Sequence, residues 1–87
     1  MQLVTATLNT EDKVFHISVS IDSALYQARV SIEDAPIRGF HFEHDLVTLL
    51  WPDPMALKRL ITLLSTFYDT GAIDLPAYLG QDPGEAR

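Results

Sequence analysis

The densest group of side chains that could do chemistry lies between His41 and Asp45, in the run HFEHD. If this run is a strand, His41 and Glu43 lie on one face, because side chains alternate along a strand. His44 and Asp45 could then turn back toward them at the strand end. Imidazole and carboxylate groups together bind Zn²⁺ and other divalent ions, so the group His41, Glu43 and His44 is a candidate metal or ligand site.

The other interpretation of this run is two partly exposed histidines in an edge strand or loop. A structural zinc needs four protein ligands and a catalytic zinc at least three, while the chain has 3 histidines and no cysteine. The remaining histidine, His16, would complete a site only if it lined up with His41 across the sheet. We therefore predict no metal and no cofactor, and keep the histidine cluster as an alternative.

Nucleophilic catalysis is not predicted either. Ser18, Ser20 and Ser31 alternate along predicted strands, as on a solvated sheet face. Serine–histidine catalysis needs a base, an orienting third group and oxyanion donors in a pocket, and an exposed sheet face offers no pocket. The carboxylate pairs Glu11-Asp12 and Glu33-Asp34 fall in predicted turns, where solvation explains them. The sequence therefore predicts a protein that is not an enzyme.

The charge of the chain bears on its partners. The 87 residues include twelve Asp and Glu and six Lys and Arg, which gives a net charge of −6. Nucleic-acid binding depends on cations that neutralise phosphates, so neither direct nucleic-acid binding nor binding to an anionic membrane is expected. The lack of cysteine, of a signal-peptide pattern and of an apolar run long enough to cross a bilayer predicts a cytoplasmic protein.

The first half of the chain predicts an antiparallel sheet. The ranges 2–9, 14–21 and 24–33 alternate apolar and polar residues with period two, as half-buried strands do. The range 9–13 and the pair Asp22-Ser23 are suited to hairpin turns. The range 40–44 alternates again over a shorter length, so the predicted sheet has three or four strands. The segment 46–51 fits either a short helix or a continuation of that strand.

One main helix follows. Asp53 is suited to the N-cap, Pro54 to the first helical position and Gly71 to the C-terminal stop. Apolar residues recur at helical spacing from Pro54 to Asp69. We predict an α+β domain over residues 1–80, with the order β-β-β-(β)-α and this helix on one sheet face, then a flexible tail over 81–87. The segment 72–80 is predicted as a turn or a single helical turn.

Several apolar residues fall outside the predicted core-facing sets, namely Leu3, Leu25, Met55 and Leu63. Surplus apolar surface on a small domain often marks a protein contact, so a homodimer through the helix or an edge strand is one prediction. The alternative is that 46–51 forms a second helix that completes the cover. Trp51 either packs on the first turn of the main helix or anchors a partner.

These features predict a small acidic protein-interaction module. Its partner would be another protein, for which an inhibitor, immunity or accessory role is expected, and a basic nucleic-acid enzyme fits the charge. Phage anti-defence proteins, including anti-CRISPR proteins, are of this size and charge. The alternatives are a self-associating structural subunit and a weak metal-binding module. The candidate contact residues are Glu11, Asp12, Glu33, Asp34, Glu43, Asp45 and Trp51.

Overall fold

The computed structural model describes residues 1–33, 36–50 and 53–82, without the side chain of His44. It confirms an α+β domain with an antiparallel sheet and one main helix, but the described residues form a sheet of five strands, where three or four were predicted. The elements are β1 (Gln2–Asn9), β2 (Val14–Ile21), β3 (Ala24–Glu33), β4 (Gly39–Phe42), α1 (His44–Leu50), α2 (Pro54–Thr70) and β5 (Ala77–Tyr78).

The strands lie in the order β4-β3-β2-β1-β5. The β2–β3 hairpin turns on Asp22 and Ser23, both with positive φ (49° and 67°), which is the geometry that matches strand twist in a two-residue turn. In the β1–β2 turn, the Asn9 side chain accepts hydrogen bonds from the amides of Glu11 (3.0 Å) and Asp12 (3.2 Å). Both predicted hairpins are confirmed.

The fifth strand corrects the prediction for 72–80. Tyr78 pairs with Gln2 and Ala77 pairs with Leu3, so this segment adds a strand at the β1 edge. A strand of two residues is too short to show alternation of apolar and polar side chains in the sequence. Pro76 directly precedes it, and a proline in a sequence argues against a strand at that place. The strand exists because β1 presents backbone groups to it.

A β-bulge in β1 moves Leu3 into the core. The pairing with β2 shifts by one residue between Leu3 and Thr5, and a bulge of this kind inserts one extra residue in one strand. Leu3 is therefore fully buried, although strict alternation with Ala6 and Leu8 placed it on the opposite face. Leu25 and Met55 are exposed as predicted, whereas Leu63 is half-buried against the core.

In the part of the chain that the structure describes, two helices cover one face of the sheet. The ambiguous segment is helical as far as Leu50, because Leu46 and Leu50, one helical turn apart, are both buried. The main helix has the predicted caps: the Asp53 carboxylate accepts from the Met55 amide (3.0 Å), and Gly71 adopts φ 73°. The second helix that was the alternative to a dimer is therefore present and buries its own Leu46 and Leu50. None of the described helices is long and apolar enough to cross a membrane.

The core contains an aromatic group centred on Phe15. Its ring lies 6.3 Å from the Phe40 ring and 5.9 Å from the Phe67 ring, measured between centroids. Leu60 and Leu64 of α2 are fully buried beside this group. The core therefore joins β2, the edge strand β4 and the main helix, and positions the other side of the sheet.

The two ends of the described chain meet beside β5. The Met1 ammonium donates to the Gly80 carbonyl (2.6 Å) and lies 2.8 Å from the Asp82 carboxylate. The Gln81 amide donates to Asp53 (3.2 Å). The first two residues of the predicted tail are therefore bonded to the domain, and residues 83–87 lie outside the described residues.

The Asp82 contact predicts acid sensitivity. Hydrogen bonding from the Met1 ammonium, and then from the Asp22 amide, holds the pKa of Asp82 below its ordinary value of 3.8. Since the folded state favours the ionised carboxylate, its stabilisation is complete above pH 3.8 and is lost as the pH falls through the lowered pKa. Thermal unfolding midpoints measured from pH 7 to pH 2 should show this loss.

The comparison for that prediction is Asp82→Asn. This variant should be less stable at pH 7 and should lose less stability on acidification than the wild type. Asp74→Asn is the control, because Asp74 is exposed and pairs with no cation among the described residues. Acid curves of identical shape for wild type and Asp82→Asn would contradict the prediction.

Candidate protein-binding face

The sheet face opposite α1 and α2, called the open face here, carries a shallow depression of about 410 Å³. Among the described residues, seven polar side chains line it, drawn from β1, β2 and β3 and from the residue after β4: Thr5, Thr7, His16, Ser18, Gln27, Arg29 and Glu43. All of these residues except Glu43 lie on the polar strand faces, which the alternation in the sequence predicted to be either solvated or a docking surface. The backbone of Ile17 and Ala28 passes beneath them.

Strand register explains why these residues meet. Thr7 opposes His16, and His16 opposes Arg29. Directly opposed residues in antiparallel strands share a face, so these three form one row across the sheet. Thr5, Ser18 and Gln27 form the neighbouring row in the same way. Leu25, 59% exposed, opposes Ser20 and adds an apolar side chain at one end of the face.

Glu43 extends the first row beyond the end of β4. Its Oε1 accepts a hydrogen bond from the Arg29 amide (2.9 Å) and lies 3.4 Å from the Arg29 Nε. The last β4 residue that pairs with β3 is Phe42, which opposes Val30. The Glu43 carboxylate therefore bonds the backbone amide of the neighbouring β3 residue, Arg29. Both side chains are largely exposed, at 70% for Arg29 and 44% for Glu43, so water screens the pair and its contribution to stability is small.

Three predicted contact residues lie at one end of the sheet, called the acidic end here. Glu11 and Asp12 are in the β1–β2 turn, and Glu33 ends β3 beside it, where the Ile32 amide donates to the Lys13 carbonyl (2.9 Å). Glu33 Oε2 also lies 2.7 Å from His41 Nε2. The structure therefore groups Glu11, Asp12 and Glu33.

The other predicted contact residues lie elsewhere. Glu43 is on the open face, and Asp45 is in the first turn of α1, where it lines a smaller depression of about 140 Å³ with Tyr26 and Leu49. Asp34 and Trp51 lie outside the described residues. The predicted set is therefore divided between the acidic end, the open face and α1. It does not form one patch.

The structure separates His16 from His41, the two histidines that would have to line up to extend the candidate metal site. His41 opposes Ser31, while His16 opposes Arg29, so the two histidines lie in different rows with β3 between their strands. His41 is bonded to Glu33, and Glu43 to Arg29. His16 and His41 therefore do not line up across the sheet, and the condition for a site made of His16, His41 and Glu43 is not met. Among the side chains that the structure describes, no three His, Asp or Glu residues are grouped to hold a metal.

Sequence reasoning missed the part that Glu43 plays on this face. The signal was present, because Glu43 follows the alternation of His41. Its reach to the Arg29 amide depends on where β4 ends, which only the register shows. Comparison with models of known protein families finds no match, and comparisons with curated proteins and with solved structures find no significant match.

Proposed function

We propose that this protein is a small acidic binding protein that holds another protein against its open face. The observation that carries the proposal is the asymmetry of the sheet. Both helices pack on one face, and no described element covers the other. A polar face built on the three long strands β1, β2 and β3, with a packed core on their other side, is a surface on which a partner can dock without reordering the chain.

The shape and chemistry of the open face support a protein partner. The depression is shallow and lined by hydroxyl, amide, imidazole and paired charged groups, with exposed Leu25 at one end. Protein interfaces combine such hydrogen-bonding groups with a few apolar anchors. A nucleic acid is disfavoured because Arg29, the one Lys or Arg among the described residues that line the depression, is paired with Glu43.

The net charge of −6 supports a partner with a basic surface. The acidic end adjoins the open face, and a cluster of carboxylates raises the rate at which a basic partner arrives. A nucleic-acid enzyme has such a surface where it binds phosphates. Inhibition of such an enzyme, the action of an anti-defence protein, is the form of the proposal that these charges favour.

The test is affinity capture from an extract of the cells that make this protein. Thr5→Arg should lower the amount of captured partner at least tenfold, because Thr5 is exposed in the depression and arginine would fill it. The binding should be saturable and should weaken as the salt concentration rises, since screening reduces the attraction of exposed charges.

Thr66→Arg is the matched control. Thr66 is an exposed threonine on α2, at the opposite side of the molecule from the open face. This variant changes the charge by the same amount and should capture the partner as the wild type does. Equal capture by Thr5→Arg and wild type, or an equal loss in both variants, would overturn the proposal, as would the absence of any saturable partner.

A further inference from the structure

The two edges of the sheet differ in their protection. Natural edge strands are guarded against pairing with another chain by shortness, proline, lysine or bulges. The β5 edge has two residues and follows Pro76. The β4 edge has four residues, Gly39–Phe42, with no proline, lysine or bulge. The β5 edge therefore has features that hinder pairing with another chain, whereas the four residues of β4 carry no proline, lysine or bulge that would hinder it.

Hydrogen bonds of β3 show which backbone groups of β4 face outward. The Ile32 amide donates toward the β2 side, to Lys13, and the Arg29 amide donates toward the β4 side, to Glu43. Since these directions alternate along a strand, the Ser31 backbone faces β4 and bonds with its partner His41.

It follows that the backbone N–H and C=O groups of Phe40 and Phe42 point away from β3. None of these four groups has a hydrogen-bond partner within the described part of the chain. The spacing of the two residues creates a short, regular row of donors and acceptors at the edge.

This row is complementary to itself. Two copies of β4 in antiparallel orientation, with Phe40 opposite Phe42 of the second copy, exchange a pair of hydrogen bonds at each of two positions. The two-fold axis then passes between the two copies of His41. This register pairs all four outward groups of each copy, whereas a shift by two residues pairs only half of them.

The side chains agree with that register. Phe40 and Phe42 are half-buried, with ring centroids 6.5 Å apart, and they pack at the margin of the core. In the antiparallel register each phenyl ring faces a phenyl ring of the second copy on the helix side, and such aromatic cross-strand pairs are stabilising. His41, whose side chain is 66% exposed, faces His41 of the second copy on the open face.

We propose that the β4 edge binds a second copy of this chain, forming a two-fold dimer with one continuous ten-stranded sheet. The open faces of the two copies then adjoin, so the dimer presents two depressions on one side. This inference depends on the β4 edge alone and does not require the function proposed for the open face.

The first test is oxidation of single-cysteine variants, which is clean because the chain has no cysteine. Opposed residues in a non-hydrogen-bonded antiparallel pair have Cα atoms about 4.5 Å apart, within the range of a disulfide. His41→Cys should therefore form a disulfide-linked dimer on mild oxidation. His16→Cys, the same change on the interior strand β2, should remain monomeric under the same conditions.

The second test is the mass of the unmodified chain by sedimentation equilibrium over a range of concentrations. His41→Lys should raise the dimer dissociation constant at least tenfold, because two ammonium groups then face each other at the axis while each can still pair with its own Glu33. His16→Lys should leave the constant unchanged.

A monomer mass at every concentration would overturn the proposal. A dimer that survives in His41→Lys and gives no disulfide in His41→Cys would also overturn it, because the contact would then lie elsewhere. Circular dichroism of each variant shows whether a loss of the dimer is a loss of the fold.

Discussion

Leu3→Ala should lower the free energy of unfolding by about 2–5 kcal/mol, the range for removing a fully buried leucine side chain. Leu3 has no exposed surface, because the bulge between Leu3 and Thr5 turns it into the core beside Val19. Truncation would leave a cavity under the sheet that neighbouring side chains fill only in part. Urea denaturation, followed by the fluorescence of the aromatic residues, measures the change.

Leu25→Ala is the matched control for this prediction. Both leucines lie in strands, and strict alternation placed both outside the core. Leu25 is 59% exposed on the open face, so its truncation should change the unfolding free energy by no more than about 0.5 kcal/mol. Equal effects at the two positions would show that β1 pairs with β2 without the bulge.

Gly80→Ala is the second large effect that we expect, a loss of about 1–3 kcal/mol, the range for forcing atoms into a packed site. A β-carbon at position 80 would overlap the Asp53 carboxylate and lie 3.3 Å from the Ala56 Cβ. Asp53 would have to move, although it caps α2 and accepts from the Gln81 amide. The same denaturation experiment measures the loss.

Gly39→Ala provides the comparison, since a β-carbon there has no neighbour within 4 Å and the backbone is not left-handed. Its effect should stay within about 0.5 kcal/mol. If Gly80→Ala were as mild as Gly39→Ala, the close contact between the C-terminal segment and the helix cap would not exist in solution. Both variants should be compared at a protein concentration low enough to exclude association.

The candidate site was predicted from sequence only in part. The polar alternation of β2 and β3 identified most of the open face, because a single covered sheet side leaves a regular polar side. The acidic residues were identified as a set, but their positions depend on which turn adjoins which strand end. Glu33 joins Glu11 and Asp12 through the β2–β3 register, while Asp45 is carried away by α1.

Local chemistry by itself determined the hairpins and the main helix. Asp22 and Ser23 tolerate the positive φ of a two-residue turn. Asp53 as the N-cap and Pro54 at the first position mark the start of α2, and Gly71 with its left-handed backbone marks its end. These signals act over a few residues, so no distant contact was needed to find them.

Only the tertiary structure decided the bulge, the fifth strand and the state of the segment before Trp51. Leu3 and Ala77 pair across more than seventy residues of chain, and neither element has a local pattern that requires the pairing. The segment ending at Leu50 is helical because burial of Leu46 and Leu50 against the sheet selects that state. The run is too short for its hydrophobic period to distinguish a helix from a strand. Burial distinguishes the two, and it exists only once the distant strands are in place.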